Sequence, residues 1–138
     1  MKKYKIGYTQ GTFDLFHIGH LNLLNNAKKY CDYLIVGVNS DELVMKYKNK
    51  KTNINQNDRA RIVDAIKGVD KVVITTTLDK TIIHKQIKFD AIFIGDDWKG
   101  NERWNKTEDD LKKVGANVIY LPHTDGISTT LLTQTIGK

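Results

Sequence analysis

The sequence predicts a single α/β domain in which a five-stranded parallel sheet carries helices on both faces. Three observations point there. Short apolar, β-branched runs recur along the chain, helical patterns fall between them, and no repeat, linker or low-complexity segment interrupts the alternation. Strand, helix, strand with short connections closes into a parallel sheet through right-handed crossovers. At 138 residues the chain makes one domain, 1–138, long enough to bury a core without disulfide staples.

The first strand is read at residues 4–10 and is followed by a helical pattern over 18–30. The second, at 33–38, is a continuous apolar run of the kind that is covered on both faces. Helical patterns follow at 40–47 and 57–67. Further strands are read at 71–76, 91–95 and 117–121, separated by helical patterns at 78–88 and 108–114. Thr107 with Asp110 reads as a capping box for the latter helix, and Gly115 stands where a C-terminal cap belongs. Ser128 is read as the cap of a last helix reaching Ile136.

Composition narrows the function. Hydrophobic residues make up 40% and charged residues 28% of the chain, an ordinary globular balance. The start, MKKYKIGYTQ, has no apolar leader core, and no run is long enough to span a bilayer. The expectation is a cytoplasmic protein with no membrane partner. The single cysteine, Cys31, excludes an internal disulfide and reads as a partly buried spectator. The formal net charge of +6 suits a nucleic-acid binder or an enzyme whose ligands are phosphates. The densest basic cluster, Lys46, Lys48, Lys50 and Lys51, occupies one short segment with only Tyr47 inside it. That is a poor stacking platform for nucleic acid and a good loop for a triphosphate.

The decisive segment is Gly11-Thr12-Phe13-Asp14-Leu15-Phe16-His17-Ile18-Gly19-His20, between the first strand and the first helix. A helix N-terminus presents unpaired N–H groups and a positive dipole end, which favour a phosphate. His17 and His20, three apart, share one side of the first turn. Gly19 removes a Cβ where a ligand approaches the backbone. In an open parallel sheet, ligands bind beyond the carboxyl ends of the strands. GTFDLFHIGH, GDDWKG and HTDGISTT follow the first, fourth and fifth strands and therefore converge there.

GTFDLFHIGH resembles the signature of the HxGH nucleotidyltransferases, and GTFD narrows the resemblance to the cytidylyltransferase branch. Gly95-Asp96-Asp97-Trp98-Lys99-Gly100 and the segment from Thr124 to Thr130 resemble the later motifs of the bacterial glycerol-3-phosphate cytidylyltransferases. The resemblance implies a Rossmann-like domain of the nucleotidyltransferase type. It implies transfer of CMP from CTP to a small alcohol phosphate, foremost sn-glycerol 3-phosphate, giving CDP-glycerol and pyrophosphate. It further implies Mg²⁺ accompanying CTP, no metal site built from the protein, no nucleic-acid partner, a homodimer, and a product feeding teichoic acid or capsule synthesis.

Residue by residue, the resemblance gives His17 and His20 contact with the phosphates. Backbone N–H groups of Thr12 and Phe13 would line the nucleotide. A mobile lysine, Lys48 or Lys50, would act catalytically, Lys48 also toward the acceptor. Asp14, Asp97 and Trp98 would contact substrate, with turn, cap or core roles as alternatives; Trp104 is a second candidate wall. Lys67, Asp97, His123, Thr124, Ile127, Ser128 and Thr129 would reach the nucleotide. Two positions depart from the pattern. His123 and Lys67 stand where relatives carry arginine, and histidine offers one donor where guanidinium offers a fork. Other readings are a different acceptor, ATP as donor within the same fold, and a non-catalytic nucleotide-binding module.

Overall fold

The computed structural model describes residues 3–124 and Leu132. The last helix expected up to Ile136, and with it Ile127, Ser128 and Thr129, lie outside the described residues. Five parallel strands form one sheet: β1 (Tyr4–Gly11), β2 (Cys31–Asn39), β3 (Lys71–Thr75), β4 (Ala91–Gly95) and β5 (Asn117–Leu121), in spatial order β3-β2-β1-β4-β5. The helices are α1 (Ile18–Lys28), α2 (Asp41–Lys48), α3 (Gln56–Asp64), α4 (Lys80–Ile87) and α5 (Glu102–Lys112), with a 3₁₀ turn at Asp96–Trp98.

Alternation along the strands builds two cores. Leu34, Val36 and Val38 of β2 pack with Leu24 and Ala27 of α1 and Val63 of α3 on one face. Ile35 of the same strand points the other way, to Ile83 of α4 and to Trp104 and Leu111 of α5. Buried Tyr8 crosses to β2 on that second face. A Cβ at Gly37 would collide with its hydroxyl, so only glycine fits there. Cys31 is fully buried at the start of β2, where its thiol meets the Ala27 carbonyl.

The largest difference from the sequence expectation is α5, which starts at Glu102 and not at 108. Asn101 caps it by accepting from the Arg103 and Trp104 N–H groups. Thr107 is mid-helix, its hydroxyl donating back to the Arg103 carbonyl at 2.9 Å, so it forms no capping box with Asp110. Gly115 does end the helix, at φ 84°. Its N–H bonds to Lys112 O and that of Ala116 to Leu111 O, the paired bonds of a Schellman motif.

Strand order changes direction at β1, whose neighbours are β2 and β4. The chain leaves β1 to one side and β4 to the other, so their carboxyl ends diverge and a crevice opens between them.

Candidate active site

The turn after β1 is held under strain. Phe13 and Leu15 adopt φ of 55° and 48°, left-handed values that cost bulky residues on the order of 1 kcal/mol or more each. Three contacts over-determine the conformation. The buried Phe13 ring lies edge-on to His20. The Asp14 carboxylate, 4% exposed, accepts from the Asn53 and Ile54 backbone N–H groups at 2.8 and 2.9 Å and from the Asn53 amide at 3.0 Å. The Thr12 carbonyl accepts from the Arg59 guanidinium at 2.6 Å.

His17 and His20 are themselves the N-terminal cap of α1. His17 Nδ1 accepts from the Gly19 N–H at 3.1 Å, and His20 Nδ1 accepts from the His17 N–H at 3.2 Å. The two rings stack at 3.8 Å between centroids. An Nδ1 that accepts from the backbone carries no proton, so in both neutral rings the hydrogen resides on Nε2. The surroundings keep the rings neutral. Burial pushes His20 down to about 4, helped by His17 and opposed by Asp14. Burial also lowers His17. Two neutral Nε2–H donors beside a helix N-terminus suit an oxyanion; of the two, His20 lines the adjacent cleft and His17 does not.

His20 opens onto a cleft of about 330 Å³ at the carboxyl ends of β1, β2 and β4. Its walls carry the strained turn from Gly11 to Asp14, Asn39, Gly95 and the two tryptophans. Trp104 is buried in the core, whereas Trp98 is 45% exposed. Five cations line the cleft: Lys48, Lys50 and Lys51 from the segment at the end of α2, and Lys80 and Arg103 from the opposite side. Lys46 takes no part; it pairs with Glu42 at 3.8 Å on the exposed flank of α2.

Lys80 is 7% exposed. Its ammonium donates to the Leu78 carbonyl at 2.8 Å and lies 5.4 Å from the Trp104 ring centroid. Burial, with Arg103 nearby, lowers it to about 8 against a smaller opposing effect from Asp79. Lys80 and Arg103 put two cationic groups on this wall of the cleft, an arrangement that suits a phosphate.

Several expected residues lie elsewhere. Lys67 is exposed on the turn entering the N-terminal end of β3. Because every strand runs the same way, that is the opposite pole from the cleft, and the assignment of Lys67 to the nucleotide is corrected. Asp97, His123 and Thr124 are at the correct end of the sheet but not in the cleft wall. His123 Nδ1 meets the Asp96 carboxylate at 2.5 Å, and its N–H bonds to the same oxygen. Thr124 accepts from the Asn22 amide of α1 at 2.9 Å. Asp14 lines the cleft, but Asn53 and Ile54 engage both of its oxygens, which makes it an anchor of the turn.

Sequence reasoning missed Arg59, Lys80, Arg103 and Asn39. Arg59 left one signal: a cation in the first turn of a helix opposes the dipole and needs a local reason to be there. Its reason is a fully buried guanidinium bonded to the Thr12, Asn39 and Ile54 carbonyls and to Asp41. Lys80 was legible only as the residue after a helix cap.

For a divalent cation, the donor set is informative. Among the described residues Asp14 is the one carboxylate in the cleft wall, and it is committed to backbone N–H groups. Outside that wall, Asp96, Asp97 and His123, all exposed, bring ligand atoms within 4.8 Å of one another; within the wall, Mg²⁺ would be held by the phosphate oxygens of a nucleotide.

The cytidylyltransferase-like family profile matches residues 8–135. The chain is 44% identical over 131 residues to glycerol-3-phosphate cytidylyltransferase of Bacillus spizizenii, covering 94% of this chain and 95% of that one. It is 38% identical over 132 residues to the protein of the same name from Bacillus subtilis, with 94% and 95% covered. Among solved structures, the lipopolysaccharide core biosynthesis protein from Thermoplasma volcanium superposes with a TM-score of 0.76 at 25% identity, over 88% of this chain and 99% of that one.

Proposed function

This chain belongs to the cytidylyltransferase-like family, and on that premise we propose that it transfers CMP from CTP to sn-glycerol 3-phosphate, yielding CDP-glycerol and pyrophosphate. The observation that carries this reading is the pairing across one cleft of a histidine-capped helix start with five cations. Such a site suits two phosphorylated ligands brought together in one cleft.

The acceptor is already ionised at neutral pH, so no general base is required. One of its phosphate oxygens attacks the α-phosphorus in line; that P–O bond forms as the bond to pyrophosphate breaks. Catalysis is then positioning and charge cancellation. The strained turn and the N-terminus of α1 receive the triphosphate, with His17 and His20 donating from Nε2 to oxygens that gain charge. Lys48 and Lys50 cover the leaving phosphates. Lys80 and Arg103, on the far wall, hold the acceptor phosphate, and Trp98 closes that side. Mg²⁺ arriving with CTP would supply further charge neutralisation for the leaving pyrophosphate, whose oxygens Lys48 and Lys50 cover. On the same reading the enzyme is cytoplasmic and its product passes to teichoic acid or capsule polymers. A homodimer is supported by two exposed isoleucines, Ile74 of the edge strand β3 and Ile62 of α3.

Purified protein with CTP, glycerol 3-phosphate and Mg²⁺ is expected to release pyrophosphate, with ATP at least about tenfold slower. Equal turnover with ATP would move the chain to adenylyl transfer. Release with CTP only when another alcohol phosphate is supplied would change the acceptor.

Lys80 gives a sharper expectation. With its value lowered to about 8, Lys80 loses charge across pH 7 to 9 in the free enzyme, so the KM for the acceptor is expected to rise over that range. Lys80→Met is expected to raise that KM about tenfold or more, on the scale of a lost charge-assisted bond, and to abolish its pH dependence. A KM for CTP that moves equally would place Lys80 on the nucleotide instead.

A further inference from the structure

We infer that Tyr47 is a positioning residue: its hydroxyl ties the end of α2 to the phosphate-binding turn and thereby holds Lys48 over the reacting phosphates. The role given to Lys48 rests on the proposed cytidylyl transfer.

Tyr47 is 37% exposed, yet its hydroxyl has two polar partners outside its own helix. It lies 3.0 Å from Thr12 Oγ1, where either hydroxyl can donate, and it accepts from the Asn39 amide nitrogen at 3.2 Å. That nitrogen also donates to Thr12 Oγ1 at 3.3 Å. The three groups close a triangle across the ends of β1, β2 and α2.

The triangle is braced from the sheet side. Asn39 Oδ1 accepts from Gln10 Nε2 at 2.8 Å, and Gln10 Nε2 also donates to the Thr77 carbonyl at 3.0 Å. Buried Tyr8 donates to Gln10 Oε1 at 2.8 Å. Asn39 therefore has its amide orientation imposed by Gln10, which leaves both of its N–H bonds directed at Thr12 and Tyr47. A polar chain thus runs from the core face of the sheet to one hydroxyl at the cleft.

The residues immediately after Tyr47 make this hydroxyl important. Lys48 is the last residue of α2, and its ammonium lies 5.5 Å from the Tyr47 ring centroid. Asn49 then takes a left-handed conformation at φ 50°, ending the helix. Its N–H bonds to the Met45 carbonyl at 3.0 Å. Lys48, Lys50 and Lys51, which line the cleft, therefore begin where the anchor ends. Without the anchor, the last turn of a helix of this length frays, and the lysine segment loses its fixed start.

The experiment is Tyr47→Phe, which keeps the ring and removes the oxygen. Losing two neutral hydrogen bonds is expected to lower kcat about tenfold, with the KM for CTP within about threefold of wild type. Lys48→Ala is expected to cost less in the Tyr47→Phe background than in wild type, because the two residues act as a unit. Hydrogen exchange of the amides from Lys46 to Asn49 in the ligand-free protein is expected to quicken about tenfold, while the β-sheet amides stay protected. Exchange that does not change at the end of α2 overturns the inference whatever the kinetics do. Faster exchange with unchanged kcat, or fully additive mutations, overturns the link to Lys48. A wild-type protein that turns over no CTP defeats the functional reading instead, and the exchange measurement still decides whether Tyr47 anchors the helix.

Discussion

Arg59→Ala is expected to destabilise the protein by about 3–5 kcal/mol, the range for removing one partner of a buried charged network. The guanidinium is completely buried. Its Nη1 donates to the Thr12 and Asn39 carbonyls at 2.6 and 2.8 Å, its Nε to Ile54 at 2.8 Å, and its Nη2 to Asp41 at 2.6 Å. Removing it leaves three carbonyls, from the turn after β1, the end of β2 and the loop before α3, without a donor they share. Burial alone would raise the Asp41 carboxyl, but hydrogen bonds from Arg59, Thr52 and the Gln56 N–H hold it below its usual range. Because Asp41 remains 43% exposed, water recovers part of the ion pair, and most of the loss comes from the carbonyls. Arg59→Lys is expected to recover less than half, since an ammonium cannot span the same fork. Urea denaturation with and without CTP checks this. A midpoint within error of wild type for Arg59→Ala would mean the network is dispensable.

His20→Asn is expected to lower kcat by about two orders of magnitude or more, the scale for losing one preorganised donor. Asparagine is the informative replacement. Its side-chain oxygen stands close to the position of Nδ1 and can accept from the His17 N–H, so the cap survives while the Nε2 donor disappears. Alanine would remove both, adding about 1 kcal/mol of lost capping and confounding the two roles. The pH dependence of stability separates them further. His20 titrates near 4 in the folded protein and near 6.5 when unfolded. The unfolded state therefore takes up the proton first, and stability is lost as pH falls from about 6.5 through 4. The second proton can enter only at Nδ1, where it breaks the cap. His20→Asn is expected to flatten that acid limb in thermal melts between pH 7 and 4. Full activity in the variant would make His20 purely structural.

Much of the fold was legible because the strands are continuous apolar runs. The expected ranges for β4 and β5 coincide with the observed Ala91–Gly95 and Asn117–Leu121. Helix α5 was hidden for a physical reason. Its buried residues are Trp104 and Leu111, two turns apart, so its first half offers no apolar periodicity and reads as loop. The cap that starts it, Asn101, is visible only when the helix is already known. The helix after β2 was read almost correctly, since Ser40 and its acidic first turn announce it.

The sequence by itself determined the parallel α/β architecture and the histidine-capped turn after β1. Both are local: a run of β-branched residues specifies a buried strand, and GTFDLFHIGH brings strand end, turn and helix cap together within ten consecutive residues. Only the tertiary structure decided which charges work together. Arg59 reaches Thr12 across 47 positions, Lys80 arrives from the crossover after β3, and Lys67, as basic as either, ends at the opposite pole. A charged side chain shows the same polarity wherever it lies. Its surroundings, through burial, a neighbouring carbonyl or the direction of a strand, make it a clamp, a ligand or a solvated surface group.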